Sequence, residues 1–213
     1  MRSAPGSAST VVGLDLAGSP RRATGFCAFD SPRSLVTATL FTDEEVLRAV
    51  LGARPALVVI DAPLSLPRGR ATIEDRSGPH LRDCDRELLR LRIPFFPLTL
   101  GPMRMLTVRG MRIAQQLSAS GLRVVEGYPG GSQDLLGLPR KKSGAPTLQR
   151  ALRRAGLGGE LGHRALSHDE LDAVTIAWVG EEHLRGRSLV IGDPSEGQMV
   201  LPLPKPHRRG TRT

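Results

Sequence analysis

Apolar positions along the chain fall into short runs in its first half and again near its end, with helix-period stripes between and after them. Val11 to Leu16 is a short apolar run broken by Asp15 and closed by Gly18, the pattern of a buried strand entering a turn. Thr24 to Phe29 and Leu35 to Phe41 predict two further strands, so the chain opens as an antiparallel meander. Thr42, followed by Asp43, Glu44 and Glu45, starts a helix that runs to about Ala53. Ala56 to Ile60 is uninterrupted apolar sequence, as expected of a strand covered on both faces, and it stops at Asp61 before Pro63. Helices are predicted over Arg82 to Arg90 and Met103 to Ser120. Leu122 to Tyr128 is a strand carrying Glu126, and residues 129–145 read as a loop. Thr147 to Ala155 is a short basic helix. Ser167 caps another from His168 to about Leu184, with Leu171, Val174 and Trp178 on its apolar stripe. Ser188 to Ile191 and Gln198 to Leu201 form a closing hairpin. The expected organisation is one domain over 11–201, with flexible termini at 1–10 and 202–213.

Composition changes this picture in three ways. Aromatic residues make up only 3% of the chain, so aliphatic side chains must fill the core. Thirty Lys and Arg against 21 Asp and Glu give a net charge of +9, a balance that suits polyanionic partners but is equally produced by a coding bias toward Arg. The two cysteines, Cys27 and Cys84, lack ligand spacing and imply no zinc site. No apolar stretch reaches the roughly 18 residues that suggest a membrane helix. The N-terminus has no secretory pattern, so a cytoplasmic location is expected.

The acidic residues carry the candidate chemistry. Asp15, Asp61 and Glu126 each lie at a strand end, and Asp169 and Asp172 share one face of the last long helix. Each alone also fits a turn, a cap or an Arg partner. Parallel strands that end at one sheet edge would bring them together. Clustered carboxylates repel one another, and Mg²⁺ or Mn²⁺ with oxygen ligands relieves that repulsion. Two such ions activate water and stabilise a leaving 3′-oxygen in phosphodiester cleavage. Candidate phosphate contacts come from the Arg-rich segment 65–120, above all Arg82, Arg104 and Arg109, and from Lys141 and Lys142. His168 reads as a helix-start residue or a proton carrier. Tyr128, the only tyrosine, reads as core packing or a base-stacking surface.

The motifs also occur in a recognisable order: Gly-Leu-Asp-Leu-Ala-Gly (13–18), Val-Ile-Asp-Ala-Pro-Leu (59–64), Val-Glu-Gly-Tyr-Pro-Gly (125–130) and Asp-Glu-Leu-Asp-Ala (169–173). Between them stand Arg-Asp-Cys-Asp-Arg (82–86), Arg-Met-Leu-Thr-Val-Arg-Gly (104–110) and Leu-Gly-Leu-Pro-Arg-Lys-Lys (136–142). This series resembles the predicted RNase H-like nuclease family known as domain of unknown function 429, over about residues 11–185. The resemblance implies an α/β fold. Its mixed sheet has five strands in the order 3-2-1-4-5, flanked by helices, and the segment 65–120 is a helical insertion between strands four and five. It also implies metal binding by Asp15, Asp61 and Asp172, with Glu126 fitting the family pattern and Asp169 beside them. The expected activity is a metal-dependent nuclease, a hydrolase acting on DNA or RNA, with a homodimer as a possible assembly. Two alternatives stay open: a non-catalytic nucleic-acid or partner-binding module of the same fold, and an ATP-binding domain like those of actin and the sugar kinases.

Overall fold

The computed structural model describes residues 9–205. Its strands are β1 (Val11–Asp15), β2 (Thr24–Ser31), β3 (Ser34–Leu40), β4 (Leu57–Ile60), β5 (Val124–Gly127), β6 (Ser188–Ile191) and β7 (Met199–Pro202). Its helices are α1 (Asp43–Ala53), α2 (Asp83–Arg90), α3 (Gly101–Ala119), α4 (Pro129–Leu136), α5 (Ala145–Arg154) and α6 (His168–Leu184).

All seven strands join one sheet, ordered β3-β2-β1-β4-β5-β7-β6. The β1–β2–β3 meander is antiparallel, and β4 and β5 then run parallel to β1. These five strands have the order and directions of the RNase H-like fold. The expected five-stranded sheet is thus present but extended. The closing hairpin does not stand apart, because β7 pairs parallel with β5 and carries β6 antiparallel on its outer edge. Strand β7 reaches Pro202, inside the stretch expected to be a flexible tail. Residues 1–8 and 206–213 of those expected termini lie outside the described residues.

Strand β4 is buried at every position, as its unbroken apolar sequence requires. One face of the sheet packs Val12, Leu14, Val58 and Ile60 against Val46 and Val50 of α1 and Ile113 and Leu117 of α3. The other face packs Val11, Leu57 and Val59 against Ile176 of α6, while α5 joins this side through Leu148 and Leu152. Side chains alternate between the faces, so parity along each strand decides which layer a residue meets. Helices α1 and α6 begin with reciprocal caps, Thr42 with Glu45 and Ser167 with Glu170, which satisfy backbone N–H groups at each start.

One expectation fails locally. Residues 129–145 are not a single loop, because α4 occupies Pro129–Leu136. Pro129 stands in its first turn and Gly137 closes it at a positive φ of 65°, the usual start and stop residues of a helix. The two cysteines are free and buried, and burial pushes both thiols well up, which leaves them inert as nucleophiles.

Candidate active site

The site begins with the β1–β4 pairing. Leu14 lies opposite Ile60, and the Asp61 N–H donates to the Leu14 carbonyl at 2.8 Å. Asp15 and Asp61, the next residues on each strand, are therefore neighbours, and their carboxyl groups come within hydrogen-bonding reach of one another. Helix α6 is seated against β2 without space to spare. A Cβ at Gly25 would lie 1.9 Å from the Asp169 carbonyl oxygen. That contact sets the first turns of α6, and with them Asp169 and Asp172, beside the end of β1.

The electrostatics follow from this crowding. Burial, with Asp172 and Asp169 nearby, raises the Asp15 carboxyl from 3.8 to about 8. Burial and the Asp15 carboxylate push Asp61 well above its ordinary value. Asp172 is also raised, chiefly by burial, although Gln133 on α4 donates to its Oδ1 at 2.6 Å. Lys141 donates to Asp169 at 3.3 Å and draws some negative field off the pair. Among the described residues neither Asp15 nor Asp61 takes part in an ion pair, and Lys141 acts on Asp15 only from beyond ion-pair distance.

Glu126 does not join this group, and the reason is parity. It lies opposite Ile60 in the parallel pairing of β4 with β5, so its side chain follows Leu14 and Ile60 onto the α3 face. Asp15 and Asp61 stand one residue later in their strands. On its own face Glu126 accepts from both terminal nitrogens of Arg82, at 2.6 and 2.8 Å, and from the Leu64 N–H at 2.9 Å. Both of its oxygens accept hydrogen bonds on that face, from which its charge still raises Asp61.

Arg82 is enclosed with it. It is 1% exposed, and its guanidinium meets Glu126, Asp85 and Ser65. Those contacts occupy all five N–H groups of the guanidinium and leave none for a substrate. Arg109 is also buried, binding Asp43 and the carbonyls of Ala17 and Phe41. Arg104 donates to the Thr99 carbonyl and lines a separate groove on the outer side of α3. Arg82 and Arg109 therefore spend their donors on holding the insertion in place. Lys142 is exposed. Of the five basic candidates, Lys141 alone reaches the cavity beside Asp15.

Among the described residues, no three His, Cys, Asp or Glu side chains stand close enough to enclose a metal ion in this conformation. The expected five-carboxylate shell is instead divided: Asp15 with Asp61, Asp172 on Gln133, Asp169 on Lys141, Glu126 on Arg82. The Asp15–Asp61 pair still suits a hard divalent cation, since it offers adjoining oxygen donors that a bound cation would draw into their ionised form. Sequence reasoning missed Gln133, and the one local signal for its helix was Pro129 at the start and Gly137 just past the end.

Two cavities flank the pair. One, of about 540 Å³, is lined by Asp15, Ser19, Arg22, Lys141 and Asp169 on its polar side. The other, of about 260 Å³, has Asp61 at its edge and is otherwise walled mainly by apolar and aromatic side chains. Met103 and Leu106 of α3 line both. Helix α3 approaches closely enough that a Cβ at Gly110 would lie 2.6 Å from the Ala62 Cβ. No described helix is long and apolar enough to cross a membrane.

Comparison with solved structures finds similarity to Thermus thermophilus RuvC in complex with a Holliday junction substrate, at 14% identity and a TM-score of 0.47, over 84% of this chain and 96% of that one. Thermus thermophilus RuvC in a second structure is similar at 14% identity and a TM-score of 0.43, over 83% and 96% of the two chains. No curated protein matches. A family model matches residues 13–197, from the middle of β1 to the residues just before β7, and so takes in Asp15, Asp61, Glu126, Asp169 and Asp172 together with the insertion. On this match the chain, with its RNase H-like sheet, belongs to the family described as protein of unknown function (DUF429).

Proposed function

We propose that the protein is a divalent-cation-dependent nuclease that hydrolyses phosphodiester bonds in nucleic acid. The observation that supports this most is the Asp15–Asp61 pair, two adjoining carboxyl groups outside any ion pair, with Asp15 facing one cavity and Asp61 the other. Such a pair is costly to keep in an apolar setting, and a structural role would be met more cheaply by a neutral residue. Asp15, Asp61 and Asp172 would hold Mg²⁺ or Mn²⁺, with Gln133 orienting Asp172 and Lys141 balancing Asp169. When bound, the cation supplies charge neutralisation at the phosphate and at the leaving oxygen.

The remaining chemistry belongs to the chain's own groups. A water oxygen forms a bond to phosphorus, the P–O3′ bond breaks, the proton lost by the water passes to a carboxylate of the pair, and a proton from solvent water reaches the departing O3′. The products are a 5′-phosphate and a 3′-hydroxyl. Arg22 and Lys141, both lining the polar cavity, would steady the phosphates on either side.

The test is a panel of labelled single-stranded, duplex and branched DNA and RNA incubated with Mg²⁺ or Mn²⁺. Wild-type protein should cut at least one of them. Asp61→Asn and Asp172→Asn should each lower the rate by at least about a hundredfold with the fold retained by circular dichroism. Undiminished cleavage by both variants would remove the mechanism. A second reading, a nucleic-acid-binding module without turnover, draws on the absence of a closed three-carboxylate shell among the described residues. Binding that needs no divalent ion, with no cleavage of any substrate, would decide for it.

A further inference from the structure

The smaller cavity is unlike the rest of the molecule. The chain has seven aromatic residues, five Phe, one Tyr and one Trp, yet three of them, Phe95, Phe96 and Tyr128, line this one chamber. Leu88, Met103 and Met199 complete its apolar wall. At about 260 Å³ it falls just below the usual range of pockets for drug-sized ligands, which suits a single planar ring system. Phe96 is part of its lining while 73% of its surface stays exposed, so its ring is open to a ligand entering the chamber. Tyr128 is fixed rather than mobile: its hydroxyl donates to the Pro94 carbonyl at 2.6 Å, and the Arg140 guanidinium lies 5.7 Å from its ring centre.

The chamber also has a direction. Asp61 is at its edge, and on the far side of Met103 and Leu106 the second cavity begins, lined by Asp15, Arg22 and Lys141. A polar, partly basic trough and an apolar, aromatic chamber thus open on opposite sides of one carboxylate pair. A sugar-phosphate chain fits the first and a base turned out of its stack fits the second.

We propose that this chamber receives one unstacked nucleobase next to the phosphodiester at Asp15 and Asp61, so that the substrate is single-stranded or locally unpaired there. This rests on the nuclease reading for the position of the phosphate, and it adds the substrate's form. The polar groups in the chamber settle how the base is read. All five N–H groups of Arg82 are taken, and Glu126 and Asp85 are turned onto that guanidinium, so the trio offers no donor to a base edge. Recognition therefore runs through ring faces and is tolerant of base identity. A paired base inside a duplex cannot enter.

The experiment is an abasic scan. A short single strand, the matching duplex, and a series of single strands each lacking one base are titrated against wild-type protein by fluorescence polarisation. Ca²⁺ replaces Mg²⁺, and the strand's integrity is checked on a gel. Loss of one particular base should weaken binding about tenfold, exchange of that base for another should change it less than about threefold, and the duplex should bind more weakly than the intact strand. Phe96→Ala, a change at an exposed position, should erase the difference between the intact and the sensitive abasic strand. A flat abasic profile, a duplex bound as tightly as the single strand, or no binding to any strand would overturn the chamber. Cleavage in Mg²⁺ with a flat profile would leave the nuclease reading standing without the chamber. A position-dependent profile with no cleavage would keep the chamber and remove the nuclease.

Discussion

A carboxyl group buried among other acids behaves differently from an isolated one, and Asp15, raised first by burial and then by Asp172 and Asp169, is the case in point. Its ordinary value of 3.8 is raised to about 8, so the folded protein binds a proton there that the unfolded chain has already released at neutral pH. A raised acid contributes stability below its unfolded value and loses it as pH climbs through the folded one. Relative to wild type, Asp15→Asn should therefore gain in melting temperature as pH rises from about 5 to 8, and saturating Mg²⁺ should shrink that gain. A difference that stays constant across this range would contradict the assignment. Arg82 gives the opposite kind of prediction. Arg82→Met leaves Glu126 and Asp85 buried without their cation and should cost about 3–5 kcal/mol in denaturant unfolding. Adding Glu126→Leu should recover part of that loss. Asp15 and Asp61 could be read from the sequence because each follows an apolar run that had to be a central strand. Glu126 looked identical by that rule. What separated it was register, which depends on how β4 and β5 slide together and is not written in either segment alone.

Elements bring these residues together through two close approaches. Gly25 lets α6 lie on β2, and Gly110 lets α3 lie on the turn after β4. Gly25→Ala should cost about 1–3 kcal/mol by overpacking, and should lower cation-dependent cleavage by more than the lost stability explains, because it displaces the turn that carries Asp169 and Asp172. Comparing cleavage rates well below the melting transition separates the two effects. The long periodic helices and the apolar strands were legible from pattern, as their energetics depend on one buried face. Helix α4 was not, because Pro129, Gly130 and Gly131 weaken helix propensity and only Leu135 and Leu136 look like core. Its importance comes from Gln133, whose role exists only across a 39-residue separation to Asp172. The insertion's arginines misled in the same way. Their number suggested a phosphate surface, whereas Arg70, Arg82 and Arg109 are consumed in tying a Pro- and Gly-rich segment to carbonyls and carboxylates.

At the scale of the whole molecule, the excess of positive charge acts at a distance. A net charge of +9 favours encounter with a polyanion, but only groups that touch phosphates release counterions on binding. For a single strand each such contact contributes about 0.7 to the slope of log affinity against log salt. Lys141→Ala and Arg22→Ala should each flatten that slope by about this amount, whereas Lys142→Ala, outside the cavity, should leave it nearly unchanged. Equal slopes for all three variants would mean that the trough is not the path of the strand.

The two chambers share one partition, and it is made of flexible side chains. Met103 and Leu106 stand three residues apart on α3, so a single helical turn divides them. A thioether bends where a ring or a branched chain would not. The width of each compartment is therefore adjustable at the expense of the other, and a substitution that enlarges room for a base takes it from the backbone trough. Selection for a bulkier or a smaller substrate has to move both at once, through one helix carried on an inserted segment.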